Sequence, residues 1–150
     1  MKIKRITALA ATVALCVSMM TACGSKPKTF EEYCDKHTDT LSQITPDSME
    51  SSVKDNEITM TSSLNKDAAE ITEEALDQVS EASATDETMP SMVKQVEDAS
   101  GISGITIVLD FTTNEGDVAY EVVYDKDGMV EDSMPLFDGN TDEASSTASE

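Results

Sequence analysis

Apolar residues recur along this chain with three different spacings, and each spacing predicts a different structure. The first is unbroken: Ile6 to Met20 is an apolar run of 15 residues interrupted only by Thr7, Thr12 and Ser18. The second has the three-to-four-residue interval of a helix that buries one face. Phe30, Tyr33, Cys34, His37, Leu41 and Ile44 form one such stripe. Thr29-Phe30-Glu31-Glu32 opens it as a capping box, with Thr29 as N-cap and Glu32 reaching back to its backbone, which predicts a helix from Thr29 to about Ile44. Thr45-Pro46-Asp47-Ser48 breaks that helix, and Pro46 is placed to begin a further helical turn through Val53. Ala68, Ile71, Ala75, Leu76 and Val79 predict a second helix over 67–83, with Glu70, Glu73, Glu74, Asp77 and Glu81 on its other faces. Met92, Val93, Val96 and Ala99 predict a third, from about Met89 to Ala99, and Gly101 and Gly104 supply its exit.

The third spacing is alternation, the mark of a strand with one buried face. Ile58, Met60, Ser62 and Leu64 alternate with Thr59, Thr61 and Ser63, which predicts one strand ahead of the acidic helix. Ile105, Ile107, Leu109 and Phe111 alternate with Thr106, Val108, Asp110 and Thr112. Beyond the turn Thr113-Asn114-Glu115-Gly116-Asp117, Val118, Tyr120, Val122 and Tyr124 alternate with Ala119, Glu121 and Val123. Asp125-Lys126-Asp127-Gly128 then turns the chain into a strand from Met129 to Met134. The expected fold is α+β, with the N-terminal helices packed on one face of a small antiparallel β-meander. One domain, 29–137, accommodates it. A segment from 138 to 150, rich in Gly, Asn, Thr, Asp, Glu, Ala and Ser, is expected to be a disordered acidic tail.

The unbroken run reads as an address rather than as structure. Lys2, Lys4 and Arg5 precede it, and a helix of that length rises roughly 22 Å, short of the ~30 Å hydrocarbon core. Met20-Thr21-Ala22-Cys23 at its end resembles the lipobox of bacterial lipoproteins, with Met20 where that family usually has Leu. The following Gly24-Ser25 is similar to the tether start of Gram-positive members. The resemblance implies diacylglycerol on the Cys23 thiol, cleavage between Ala22 and Cys23, and Cys23 as the new N-terminus. Residues 1–22 would then be a lipoprotein signal peptide and 23–28 a lipidated tether, holding the domain on the extracellular face of the cell membrane. Two acyl chains anchor stably where one does not.

Charge and cysteine usage narrow the chemistry. Without residues 1–22, seven lysines remain against 30 acids, a formal charge of −23, which repels nucleic acid and favours cations or cationic peptides. Cys16 leaves with the signal and Cys23 is acylated, so Cys34 has no partner for an internal disulfide. Cys34 and His37 stand three apart on one helical face. The stripe reads Cys34 as a small core residue instead of half of a catalytic pair. If Gly128 took the sharp-turn position of a calcium-binding EF-hand loop, the end ligands would fall on Val123 and Met134, neither of which ligates. No Gly-x-Ser-x-Gly, His-Glu-x-x-His or Gly-rich phosphate loop is present. No residue is assigned to catalysis, a cofactor or a metal.

A wider resemblance covers most of the domain. Phe30-Glu31-Glu32-Tyr33, the strand with Met60, the acidic helix and Val122-Val123-Tyr124-Asp125-Lys126-Asp127-Gly128 are similar in order to a family of small Gram-positive lipoproteins whose domain has no assigned function. That family carries two strands before the acidic helix, where the alternation here marks one. The resemblance implies an envelope location and no activity. The expected role is a non-enzymatic binding or assembly module whose partner is another envelope protein or a peptide. The alternatives are a small envelope hydrolase using carboxylates, or an acidic binder of cationic peptides.

Overall fold

A computed structural model of the chain describes residues 26–138; the expected signal segment, Ala22, Cys23 and the tail from residue 139 lie outside the described residues. The elements run α1 (Phe30–Lys36), α2 (Thr40–Ile44), β1 (Glu50–Lys54), β2 (Glu57–Ser63), a 3-10 turn (Ala68–Glu70), α3 (Glu73–Ala84), α4 (Thr88–Ser100), β3 (Thr106–Thr112), β4 (Val118–Asp125), β5 (Gly128–Ser133) and α5 (Pro135–Asp138). The strands form one five-stranded sheet in the order β1-β2-β3-β4-β5. All neighbours are antiparallel except β2 and β3, which run parallel with Ile58 beside Ile107 and Met60 beside Leu109. The fold is therefore α+β, as the spacing predicts, with helices packed on the sheet.

Three local expectations are corrected. The stripe from Phe30 to Ile44 is two helices, because His37 leaves helical geometry at φ −128°, ψ 71° and its N–H caps α1 on Cys34 and Tyr33 carbonyls. His37-Thr38-Asp39-Thr40 is a run of weak helix formers, so nothing local opposes the break. Thr29 does cap α1, accepting from the Glu32 N–H at 3.2 Å, but Glu32 Oε2 accepts from the Lys28 N–H at 2.7 Å, one residue earlier than a capping box requires. The second correction concerns Pro46 to Val53. Pro46 begins a turn closed by Met49 N–H to its carbonyl, and the chain then enters a strand, not a helix. Val53 pairs with Ile58 across a tight turn at Asp55-Asn56, where Asp55 takes a φ of 52°. Asp tolerates that left-handed conformation better than most residues. There are thus two strands before the acidic helix.

The third correction is where the acidic helix begins. Asp67 caps only the 3-10 turn, Ile71 is extended and buried, and Thr72 recaps the chain by accepting from the Ala75 N–H, so α3 starts at Glu73. The third helix follows expectation and ends at Gly101, whose φ of 71° is the left-handed C-cap conformation that glycine adopts without strain.

Helices α3 and α4 pack on β3, β4 and β5, and α1 packs on β1. Under them lie Ile58 and Met60 from β2, Ile107 and Leu109 from β3, and Tyr120, Val122 and Tyr124 from β4, met by Phe30, Leu76, Val93 and Val96. Tyr124 donates from its hydroxyl to the Ser83 carbonyl at 2.9 Å. Tyr120 donates to Asp132 Oδ2 at 3.1 Å, which also accepts from Ser80 Oγ at 2.6 Å, so each buried phenol finds an acceptor. Those bonds fasten α3 to the sheet.

Candidate functional site

Alternation puts every second residue of a strand on the opposite side of the sheet. Since Leu109, Phe111, Tyr120 and Val122 face the helices, Asp110 and Glu121 face away from them. They stand directly opposite each other, in a row that continues to Thr61 on β2 and Ser133 on β5. Their pairing depends on a bulge. The five-residue turn sets Thr112 against Val118, whereas burying both apolar faces requires Phe111 against Tyr120. These two registers differ by one residue, and Ala119 absorbs the difference as an extra residue in β4. Without it Asp110 would sit beside a buried tyrosine.

The pair is electrostatically unusual. Desolvation is the main cause that raises the Asp110 carboxyl above its ordinary value; a hydrogen bond with Glu121 opposes this, and the charge of Glu57 adds to it. Desolvation also leads for Glu121, followed by the charge of Asp110, the hydrogen bond between the two carboxyls, and the charges of Glu131 and Glu57. Asp110 Oδ1 is sealed from solvent without a hydrogen-bond partner. Two carboxyls in contact share a proton more readily than both ionise. The result is a half-buried acidic pair on the sheet face away from the helices, with Val108 beside it buried on the same side.

The residues singled out from the sequence lie elsewhere. Cys34 is 7% exposed in the core, as the stripe predicts, and burial, helped by Asp35, pushes its thiol up to about 11. A thiol so raised is a poor nucleophile. His37 does not stay in the stripe: it lies past the end of α1, exposed, with its ring 4.5 Å from that of Tyr33. The Asp125–Gly128 stretch is a hairpin turn, as expected, in which Asp125 Oδ1 accepts from the N–H groups of Asp127 and Gly128. Its carboxylate is spent on the turn. Glu73, Glu74, Asp77 and Glu81 of α3 are exposed, and no group of three or more His, Cys, Asp or Glu side chains converges to hold a metal among the described residues. A polar groove of about 510 Å³ lies between the α3–α4 junction and the β4–β5 turn, with Asp86, Glu87, Lys94, Lys126 and Asp127 on its walls.

Residues 25–127 match a family described as Domain of unknown function (DUF4854). The chain belongs to the DUF4854 family. The match begins one residue before the first described residue and ends inside the β4–β5 turn, so β5 and α5 lie beyond the matched part of the DUF4854 domain. No curated protein and no solved structure matches the chain.

Proposed function

We propose that this DUF4854 protein is a lipid-anchored domain of the outer face of the cell membrane that works by binding or assembly and not by catalysis. The observation that carries the reading is Met20-Thr21-Ala22-Cys23, placed where the apolar run ends and six residues before Thr29 caps the first helix. Cys23 takes diacylglycerol on its thiol, and cleavage between Ala22 and Cys23 then makes it the new N-terminus. The domain then stands close to the lipid with a formal charge of −23 on the chain that follows.

The acidic sheet face supports a binding role. A hydrolase using two carboxyls needs them to converge on a cleft that admits substrate. Asp110 and Glu121 stand opposite each other on the face of the sheet, with Asp110 Oδ1 sealed from solvent, and neither lines the groove beside α4. A partner carrying lysine or arginine, whether an envelope protein or a cationic peptide, is the complement such a surface fits.

Intact mass of the membrane-extracted protein tests the anchor. A species lacking residues 1–22 and heavier by a diacylglyceryl group is expected, and Cys23→Ser is expected to move the protein to the aqueous fraction. An acyl-free protein, or a serine variant that stays membrane-bound, overturns it. Affinity purification from detergent-solubilised membranes tests the binding role: a stoichiometric protein partner supports it, and a solitary monomer that turns over a substrate removes it.

A further inference from the structure

We infer that the end of the domain carrying the β1–β2 and β4–β5 turns rests against the bilayer, and that the opposite end, at the Thr113–Asp117 turn, points away from it. This rests on the lipid-anchor reading above and adds an orientation to it.

The chain enters the fold at one end and is clamped there. Phe30 N–H donates to Asn56 Oδ1 at 2.9 Å, Glu31 N–H to the Asp55 carbonyl at 2.8 Å, and Asp55 N–H to Glu31 Oε2 at 2.7 Å. The first turn of α1 is thereby tied to the β1–β2 turn. Between Cys23 and Thr29 the chain spans at most about 20 Å fully extended. The β1–β2 turn is therefore held within a short reach of the lipidated residue.

Topology decides what shares that end. Because β2 and β3 are parallel, β3 also begins there, and Thr106 N–H donates to the Asn56 carbonyl at 3.0 Å. Antiparallel β4 returns to the same end, with Tyr124 beside Ile107, so the Lys126-Asp127 turn lies there too. The Thr113–Asp117 turn lies at the other end of β3. Six residue steps at about 3.3 Å put it roughly 20 Å further from the lipid.

Charge does not separate the two ends, so the orientation rests on the tether and the topology. Of the seven lysines after Cys23, Lys26, Lys28, Lys54 and Lys126 lie at the tethered end, and Lys94 shares a groove with Lys126. Glu31, Glu32, Asp55, Glu57, Asp86, Glu87, Glu97, Asp125 and Asp127 share that end or its groove, so acids outnumber lysines there. At the far end Asp67, Glu70, Glu115 and Asp117 likewise outnumber Lys66.

The test is depth-dependent quenching on the full lipidated protein, purified in detergent and reconstituted into phosphatidylglycerol/phosphatidylcholine vesicles that contain a nitroxide-headgroup lipid. Single labels go on Lys54→Cys or Asp127→Cys at the tethered end and on Glu115→Cys or Asp117→Cys at the far end; two sites per end keep the comparison if one variant misfolds. Labels at 54 and 127 are expected to be quenched at least about twofold more than those at 115 and 117. Equal or reversed quenching in vesicles that float with bound protein overturns the orientation and leaves the anchor standing. Protein that does not float with the vesicles overturns the anchor, and the orientation with it.

Discussion

Asp110 and Glu121 both titrate above the ordinary carboxyl values of 3.8 and 4.5. The folded state therefore holds protons that the unfolded chain has released, and stability tied to the pair is fully present below about pH 4 and lost as pH rises through the folded values. Replacing one partner by its amide removes the repulsion. Asp110→Asn is expected to be more stable than the parent at pH 7 by about 0.5 kcal/mol, a modest figure because both side chains keep some solvent contact. The gain should vanish near pH 4. Denaturant titrations at pH 4, 5.5 and 7 measure it, and a gain independent of pH would show that the pair does not titrate. Cys34 makes a second residue-scale prediction. Its burial and raised thiol imply that a disulfide reagent at pH 8 modifies the native protein at least ~100-fold more slowly than the denatured chain. Fast native labelling would place the thiol at the surface.

At the scale of elements, hydrophobic period was enough to locate α3, α4 and the strands β2 to β5, because each buries one regular face. Where period failed, the cause was local. Residues 50–54 carry only half-buried Ser51 and Val53 on their inner side, so β1, an edge strand, leaves almost no apolar signature. The break at His37 is equally faint, since Phe30, Cys34 and Ile44 still reach one core from two helices. The acidic pair was hidden for a different reason: its two members are visible as outward positions, but their meeting depends on a one-residue bulge. The signal was present as a conflict between the register set by the turn and the register set by the apolar faces. Bulges recur at the edge, where Val130 is the extra residue of β5 and is 60% exposed. Val130→Lys is expected to leave stability within about 0.5 kcal/mol. By contrast Gly101→Ala, forced to hold a φ of 71°, is expected to lower it by about 1 kcal/mol although nothing crowds the new methyl group. Thermal melts of the two variants side by side separate these outcomes.

Over the whole molecule, acidity sets the terms. A chain with a formal charge of −23 after residue 22 repels itself, so added salt is expected to stabilise it. Raising sodium chloride from 10 to about 150 mM should increase Tm by several degrees at pH 7, and by much less at pH 4.5, where many carboxylates are protonated. A salt-independent melt at pH 7 would mean that the acids are already compensated. The parallel pairing of β2 with β3 has another consequence, one of timing. Ile58 and Ile107 are neighbours in space, yet everything between them, including both long helices, must be made before they meet. A chain emerging N-terminus first exposes the β1–β2 hairpin with no third strand to shelter it until β3 arrives. Closing so long a loop slows folding. For that interval the nascent protein holds Ile58 and Met60 open to whatever escorts newly made chains.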